Sequence, residues 1–262
     1  MNTSISFNGA ADFYDSTREL PAAIATQGIQ AILEAAGPGA RMLDVGTGTG
    51  RVSVPLLQRG ADLIGCDLAR RMMAVLQQKM PSARLAEADA ALLPFPAAHF
   101  DAVTTCHVMH LVGPWREALR EYRRVLRPGG AYINARSEPG GGKSDGDRIQ
   151  DHWNSRVKAH GASTKRPGVQ NPEELHGELI GMGASLQRTE VVRYVYSYSV
   201  REVVERIANR INSDSWVVPE PAFSLAVGEL REWVSKEYQD PDRVFEDELV
   251  FVLDVARFNA AS

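Results

Sequence analysis

Short apolar runs alternate with amphipathic stretches along the first half of the chain. Apolar runs predict strands over 41–46, 61–67, 83–89, 100–106 and 131–136, of which the first four close on glycine, aspartate or cysteine. Apolar residues at helical spacing predict helices between them, over 50–59, 69–80 and 115–126. Strands that alternate with helices of this length indicate βαβ units and a mostly parallel sheet covered on both faces.

The second half of the chain has a different pattern. A Gly-rich loop over 137–147 separates it from the first half. Helical spacing predicts four further helices, over 147–160, 173–181, 200–211 and 222–238. Two apolar or aromatic-rich runs predict strands over 186–199 and 248–257. Residues 10–36 indicate a helical segment that caps the sheet.

Composition removes several classes of protein. The 262 residues carry 29 Lys and Arg against 33 Asp and Glu, and this net charge of −4 argues against a dedicated nucleic-acid binder. No apolar run is long enough to span a bilayer, and the N-terminus lacks a signal-peptide pattern. Only two cysteines occur, and no Cys/His spacing is typical of a zinc site. We therefore expect a cytoplasmic protein without a metal or a membrane span.

The sharpest local feature is the run LDVGTGTG at 43–50, which follows a predicted strand and opens a helix. Glycines let the backbone turn tightly there, and the helix start offers amide groups to an anion. Asp67 ends the next strand, where a carboxylate can accept bonds from both ribose hydroxyls or cap the following helix. Asp89 ends the third strand beside the same cleft, where an Asx turn is the competing interpretation.

The glycine spacing discriminates between nucleotide ligands. Glycines at 46, 48 and 50 give D-x-G-x-G-x-G, whereas the dinucleotide fingerprint is G-x-G-x-x-G, and no G-K-[ST] follows. The run LDVGTGTG, Asp67 closing ADLIGCD, the run ADAALLPFPAAHFDAV and the helix ending in RVLRPGGAYI resemble class I S-adenosylmethionine-dependent methyltransferases. Within that class they look like the small-molecule group related to the ubiquinone/menaquinone methyltransferases.

The resemblance implies a fold and a set of site residues. The implied fold is α/β: a three-layer, doubly wound, Rossmann-like sandwich whose seven-stranded, mostly parallel sheet has an antiparallel last strand, with a helical cap or lid. Asp44, Gly46, Thr47 and Gly48 would lie against the methionine moiety of S-adenosylmethionine. Asp67 would hold the ribose and Leu68 the adenine. The other implied cofactor contacts are Asp89 and Ala90 at the adenine edge, Cys106 and His107 at the sulfonium, and Tyr14 and Arg18 in a closing segment.

Two histidines follow the fourth strand in the run CHVMHLV. His107 and His110 would share a face if this run were helical, and histidine is a natural general base near neutral pH. Either side chain can instead shape the pocket or bond a backbone carbonyl. A base is optional, because the sulfonium of the cofactor is already an activated donor and alignment is the main requirement.

We expect one domain over 1–262. Its predicted parts are a cap (1–36), a cofactor-binding core (37–136), lid or substrate-binding additions (137–182 and 200–240) and return strands (185–199 and 243–258). The expected activity is methyl transfer from S-adenosylmethionine to an O, N or C nucleophile of a small molecule. A nicotinamide-dependent oxidoreductase, a nucleic-acid or protein methyltransferase and a non-catalytic cofactor-binding module are the alternatives, and the chain can be a monomer or a homodimer.

Overall fold

The computed structural model describes residues 4–19 and 21–258. Its seven strands form one sheet in the order β3-β2-β1-β4-β5-β7-β6. The strands are β1 Arg41–Val45, β2 Asp62–Asp67, β3 Arg84–Glu87, β4 Phe100–Cys106, β5 Leu126–Pro139, β6 Ala184–Ser199 and β7 Val244–Phe258. The sheet reverses its winding between β1 and β4, which is the position where open α/β sheets bind ligands.

Ten α-helices lie in the described residues. They are α1 Tyr14–Thr17, α2 Ile29–Ala36, α3 Ser53–Gln58, α4 Arg70–Lys79, α5 Trp115–Val125, α6 Asp145–Ala159, α7 Pro172–Gly181, α8 Val200–Ala208, α9 Ser213–Trp216 and α10 Glu220–Glu237. A 3-10 turn at Asn8–Ala10 and a π-helical turn at Ile24–Gly28 complete the predicted N-terminal cap. Met1, Asn2, Thr3 and Leu20 of that cap lie outside the described residues.

The doubly wound fold is confirmed. Strands β3, β2, β1, β4 and β5 pair in parallel. The last strand, β7, runs antiparallel to β5, because Arg136 bonds Asp254 whereas Gly140, directly after β5, bonds Glu248 earlier in β7. The same reversal holds against β6, where Ser185 meets Arg257 and Arg193 meets Glu248.

Two details differ from the predicted elements. Strand β5 begins at Leu126 rather than at residue 131, so the Pro128-Gly129-Gly130 stop belongs to the strand. Its register against β4 shifts between Phe100 and Ala102, and Gly129 has a φ of 79°, so an irregularity absorbs the proline that cannot donate. The short helix α9 was not predicted, because four residues carry too little periodicity.

The chain packs into two compact units. Unit 1 comprises 1–138, 167–192 and 250–262, and its core packs β1, β4 and β5 against α5 through Leu43, Val103, Tyr122 and Tyr132. Unit 2 comprises 139–166 and 193–249, and its core joins α6, α8 and α10 through Trp153, Val204 and Leu230. The single-domain organisation stays a prediction.

Candidate functional site

The predicted site residues converge at one edge of the sheet in unit 1. Val45 is in register with Cys66 on one side and with Thr105 on the other. The residues that follow these positions, Gly46, Asp67 and Cys106, therefore emerge together at the carboxyl ends of β1, β2 and β4. The fold thus joins three chain segments that the sequence separates.

The glycine loop, residues 46–50, requires its glycines. Gly46, Gly48 and Gly50 have φ values of 75°, 55° and 86°, in the left-handed region. A Cβ at Gly46 would overlap the Val108 side chain, and one at Gly50 would lie 2.7 Å from Val54. Close packing on both sides, as well as the turn itself, therefore excludes other side chains.

The loop amides bind within the protein. Gly46 and Thr47 donate to the carbonyl oxygen of Cys66 at 2.8 and 3.1 Å, and Gly50 donates to that of Thr47 at 3.0 Å. Gly48 donates to Asp67 Oδ2 at 2.8 Å. Three of these amides fix the loop to β2, and that of Gly50 closes a turn within the loop.

Asp44 ties β1 to the first turn of α3. Its side chain is 2% exposed and accepts a hydrogen bond from Ser53, whose hydroxyl also contacts that of Thr47. Burial raises the pKa of Asp44 from 3.8 to about 6, although the Ser53 and Thr47 hydroxyls oppose the rise. The carboxyl group therefore holds the base of the glycine loop in place.

Asp67 receives backbone hydrogen bonds on both carboxylate oxygens. Gly48 donates to Oδ2, and Ala69 donates to Oδ1 at 2.7 Å. Burial raises the pKa of Asp67, while the donating amides oppose the rise. Helix α4 starts at Arg70 with Ala69 at its N-cap, so Asp67 braces the turn before the helix and is not its cap residue.

Asp89 forms the Asx turn that was the competing interpretation. Its Oδ1 accepts the amide of Ala91 at 3.0 Å, and its carbonyl accepts that of Leu92. Strand β3 ends at Glu87, two residues earlier than predicted. Ala90 is buried in the core of unit 1. Contact of either residue with an adenine ring stays a prediction.

The N-terminal segment lies against the glycine loop. Asp15 accepts the Thr49 hydroxyl at 2.7 Å and pairs with Lys79 at 2.6 Å. The Arg18 guanidinium stacks over the Tyr14 ring at 5.1 Å, and the Arg18 carbonyl accepts from Arg51 at 3.4 Å. Tyr14 and Arg18 are therefore held beside the loop, and their closure over a cofactor stays a prediction.

His107 and His110 lie in a turn between β4 and α5, so the condition under which they would share a helix face is not met. His107 has a φ of 56°, and its Nε2 accepts the amide of Ser137 at 3.1 Å. Burial, with the nearby positive charges of Arg51, Arg18 and Arg136, lowers the pKa of His107 to about 3. The ring is therefore neutral at physiological pH, and its Nε2 lone pair is engaged.

The other members of this turn are fixed as well. The His110 and Met109 carbonyls accept the amides of Gly168 and Val169, both at 3.0 Å. Burial raises the pKa of the Cys106 thiol, so the group is a thiol and not a thiolate at neutral pH.

Sequence reasoning missed three residues of this edge. Arg51 contacts Cys106 and faces His107, and it follows the glycine run directly. Ser53 holds Asp44, and Asp15 holds Thr49 and Lys79. A buried acid invites a search for a hydroxyl in the first turn of the next helix, which would have found Ser53. Nothing in the sequence pattern points to Asp15.

Known proteins resemble the part of the chain that carries the glycine loop, Asp67 and β4. Residues 43–134 match the family described as "Methyltransferase domain". A demethylmenaquinone methyltransferase of Beutenbergia cavernae is 39% identical over 108 residues, which is 40% of this chain and 45% of the relative. The chain spans about half the length of these curated relatives that it matches.

Solved structures share the fold across more of the chain. A putative methyltransferase from Bacillus halodurans has a TM-score of 0.60 at 16% identity, over 88% of this chain and 99% of that one. A Haemonchus contortus N-methyltransferase solved with S-adenosylhomocysteine has a TM-score of 0.53 at 19% identity, over 89% of this chain and 53% of that one. Among residues 4–19 and 21–258, no helix is long and apolar enough to cross a membrane.

Proposed function

From the resemblance of this chain to class I S-adenosylmethionine-dependent methyltransferases, we propose that it transfers a methyl group from S-adenosylmethionine to a small molecule. One observation carries the proposal: the Asp67 carboxylate is bonded to the loop amide of Gly48, at the edge where Cys106 and His107 emerge. The family match over 43–134 covers β1, the glycine loop, Asp67 and β4.

The residues at this edge fit the proposed cofactor. Asp67 is mostly buried and accepts hydrogen bonds from backbone amides, so further hydrogen bonds from ribose hydroxyls would favour its charged form. Leu68, Asp89 and Ala90 would border the adenine. Asp44, Gly46, Thr47 and Gly48 would line the methionine moiety. S-adenosylmethionine supplies a methyl group on a positively charged sulfur, which is activated before it meets the protein.

The protein's own task is to orient the nucleophile and to exclude water. Tyr14 and Arg18, held beside the loop through Asp15 and Arg51, would close the cofactor side. We assign His107 a positioning role, because a side chain with a pKa of about 3 and an engaged Nε2 is a weak base. His110 remains the candidate base for an acceptor that loses a proton during the transfer.

The nucleophile can be oxygen, nitrogen or carbon. Relatives named demethylmenaquinone methyltransferase and the overall acidity of the chain support a small-molecule acceptor rather than a nucleic acid. The glycine spacing argues against a nicotinamide dinucleotide, whose fingerprint places its third glycine elsewhere.

Calorimetry tests the proposal directly. We expect S-adenosylhomocysteine to bind and NAD not to bind, because the loop and Asp67 suit a mononucleoside. Binding of NAD alone would support the oxidoreductase alternative. Labelled S-adenosylmethionine, offered with a metabolite library, then separates an enzyme from a binding module, since only an enzyme passes the label to an acceptor.

A further inference from the structure

A cluster of charged side chains surrounds the buried Asp254 and lies beside His107 in unit 1. We call it the Arg136 cluster, and it consists of Arg136 and Glu138 on β5, His176 on α7, Arg188 on β6 and Asp254 on β7. Arg136 follows Ala135, which pairs with Cys106 and whose carbonyl accepts the His107 amide. The cluster therefore adjoins the edge where the acceptor of the proposed reaction must lie.

The cluster holds the Arg136 side chain from one side. Arg136 Nη1 bonds Asp254 Oδ2, and the same oxygen contacts His176 Nε2 at 2.8 Å. Asp254 is fully buried and Arg136 is 15% exposed. Arg188 binds Glu138, whose Oε2 lies 3.3 Å from Arg136 Nη2 without hydrogen-bond geometry. The orientation of the guanidinium is thus fixed, while the edge formed by Nε and Nη2 makes no hydrogen bond.

That other edge makes no hydrogen bond, and its charged neighbour is the Glu138 carboxylate, 3.3 Å from Nη2. Arg136 Nε and Nη2 are shielded from bulk water and have no hydrogen-bond partner among the described residues, and neither has Asp254 Oδ1. Nε and Nη2 form the side of the planar guanidinium that grips two oxygens at once. Buried donors without partners destabilise a fold, so their presence points to a group that completes them.

We propose that Arg136 binds a carboxylate of the acceptor through Nε and Nη2, and this rests on the proposed methyl transfer. A monoanion suits the place better than a phosphate dianion, because Asp254 and Glu138 would repel a second negative charge. Because both nitrogens are closed off from solvent, binding requires the side chains around them to move. The hydrogen bonds formed with the carboxylate offset the free energy of that movement.

Paired ligands test the proposal on the unaltered protein. A panel of small carboxylic acids and their primary amides is titrated in the presence of saturating S-adenosylhomocysteine. We expect some acids to bind and their amides to bind at least about 10-fold more weakly, because an amide lacks the charge that the guanidinium grips. If the protein binds S-adenosylhomocysteine but amides match acids, or no acid binds, the inference fails. If S-adenosylhomocysteine itself does not bind, the proposed function fails instead.

A conservative variant tests the role of Arg136 without removing its charge. Arg136→Lys keeps the pairing with Asp254 but loses the two-pronged edge, so we expect acid affinity to fall by about 10- to 100-fold. Affinity for S-adenosylhomocysteine and the melting temperature should stay close to those of the unaltered protein. Arg127→Lys is the matched control, since Arg127 lies on the same strand β5 but pairs with Asp101, outside the cluster. Unchanged acid affinity in Arg136→Lys would mean that an internal water completes the edge, and would overturn the assignment.

Discussion

The glycine loop and the Arg136 cluster flank the same edge of the sheet but are held by different kinds of interaction. The loop is fixed mainly by backbone amides and by glycines at positive φ, within one short stretch of chain. The cluster is fixed by charged side chains from β5, α7, β6 and β7. Backbone recognition leaves a compact motif in the sequence, whereas a site assembled from distant side chains leaves none.

The largest expected effect tests whether the loop depends on the turn that follows β4. Gly46→Ala places a Cβ at a φ of 75° and against Val108. We expect the free energy of unfolding to fall by about 2–5 kcal/mol, from backbone strain and overpacking together. Urea denaturation measures the loss.

Gly60→Ala is its matched control, because Gly60 has a similar φ of 83° but no atom within 4 Å of an added Cβ. Strain alone should cost about 1–2 kcal/mol there. Adding Val108→Ala to Gly46→Ala should recover part of the difference. Equal losses for the two glycine variants would show that the Val108 contact does not constrain the loop.

Asp44 gives a pH-dependent test of the loop's base. Its pKa is raised from 3.8 to about 6, so the folded state binds the proton more tightly than the unfolded state does. The stabilisation is therefore present below about pH 4 and is lost as the pH rises through about 6, by about 3 kcal/mol. Comparison with Asp44→Asn across this range isolates the effect.

Asp62→Asn serves as the control for that titration. Asp62 begins the neighbouring strand β2, and hydrogen bonds from Arg84 lower its pKa, so its contribution to stability has the opposite sign. Parallel stability curves for the unaltered protein and Asp44→Asn would contradict the burial of a titrating Asp44.

Asp67 tests the cofactor side by binding. Asp67→Ala removes the carboxylate bonded to Gly48, and we expect S-adenosylhomocysteine to bind about 1–3 kcal/mol more weakly in calorimetry. Asp62→Ala, at the opposite end of the same strand, should bind it normally. An unchanged affinity in folded Asp67→Ala would remove the ribose assignment.

The smallest effect concerns the N-terminal segment. Asp15→Asn weakens the pairing with Lys79 but keeps an oxygen for Thr49, and both partners are partly exposed. We expect a loss of less than about 1 kcal/mol in S-adenosylhomocysteine binding. Asp12→Asn, which breaks the more exposed pair with Arg71, should have no effect on binding. If Asp12→Asn weakened binding more than Asp15→Asn did, the contact of Asp15 with the loop would not be what closes the cofactor side.

Periodicity and turn residues predict most of the fold. The order of strands and helices, the parallel sheet and the antiparallel β7 are confirmed, because each follows from a local pattern or from the resemblance. The predicted start of β5 is too late, because Pro128 and the two glycines usually end an element. In this fold a register shift against β4 keeps them within the strand.

Some of the site residues could be predicted from local sequence patterns, and others could not. Gly46, Asp67 and Cys106 could be placed at one edge, because strand ends are visible in the sequence. The engaged Nε2 of His107 could not, because its partner is the backbone of Ser137, 30 residues away. Arg136 was read only as part of a strand, and its partners come from elements later in the chain.

The bond between Arg136 and Asp254 spans 118 positions, whereas that between Ser53 and Asp44 spans nine. Closing the longer loop costs more chain entropy, and contacts of large sequence separation form late in folding. We therefore expect the glycine loop to form before the Arg136 cluster, which requires β7 to enter between β5 and β6. In the proposed function, a partly folded molecule would then bind a nucleoside before it could select an acceptor.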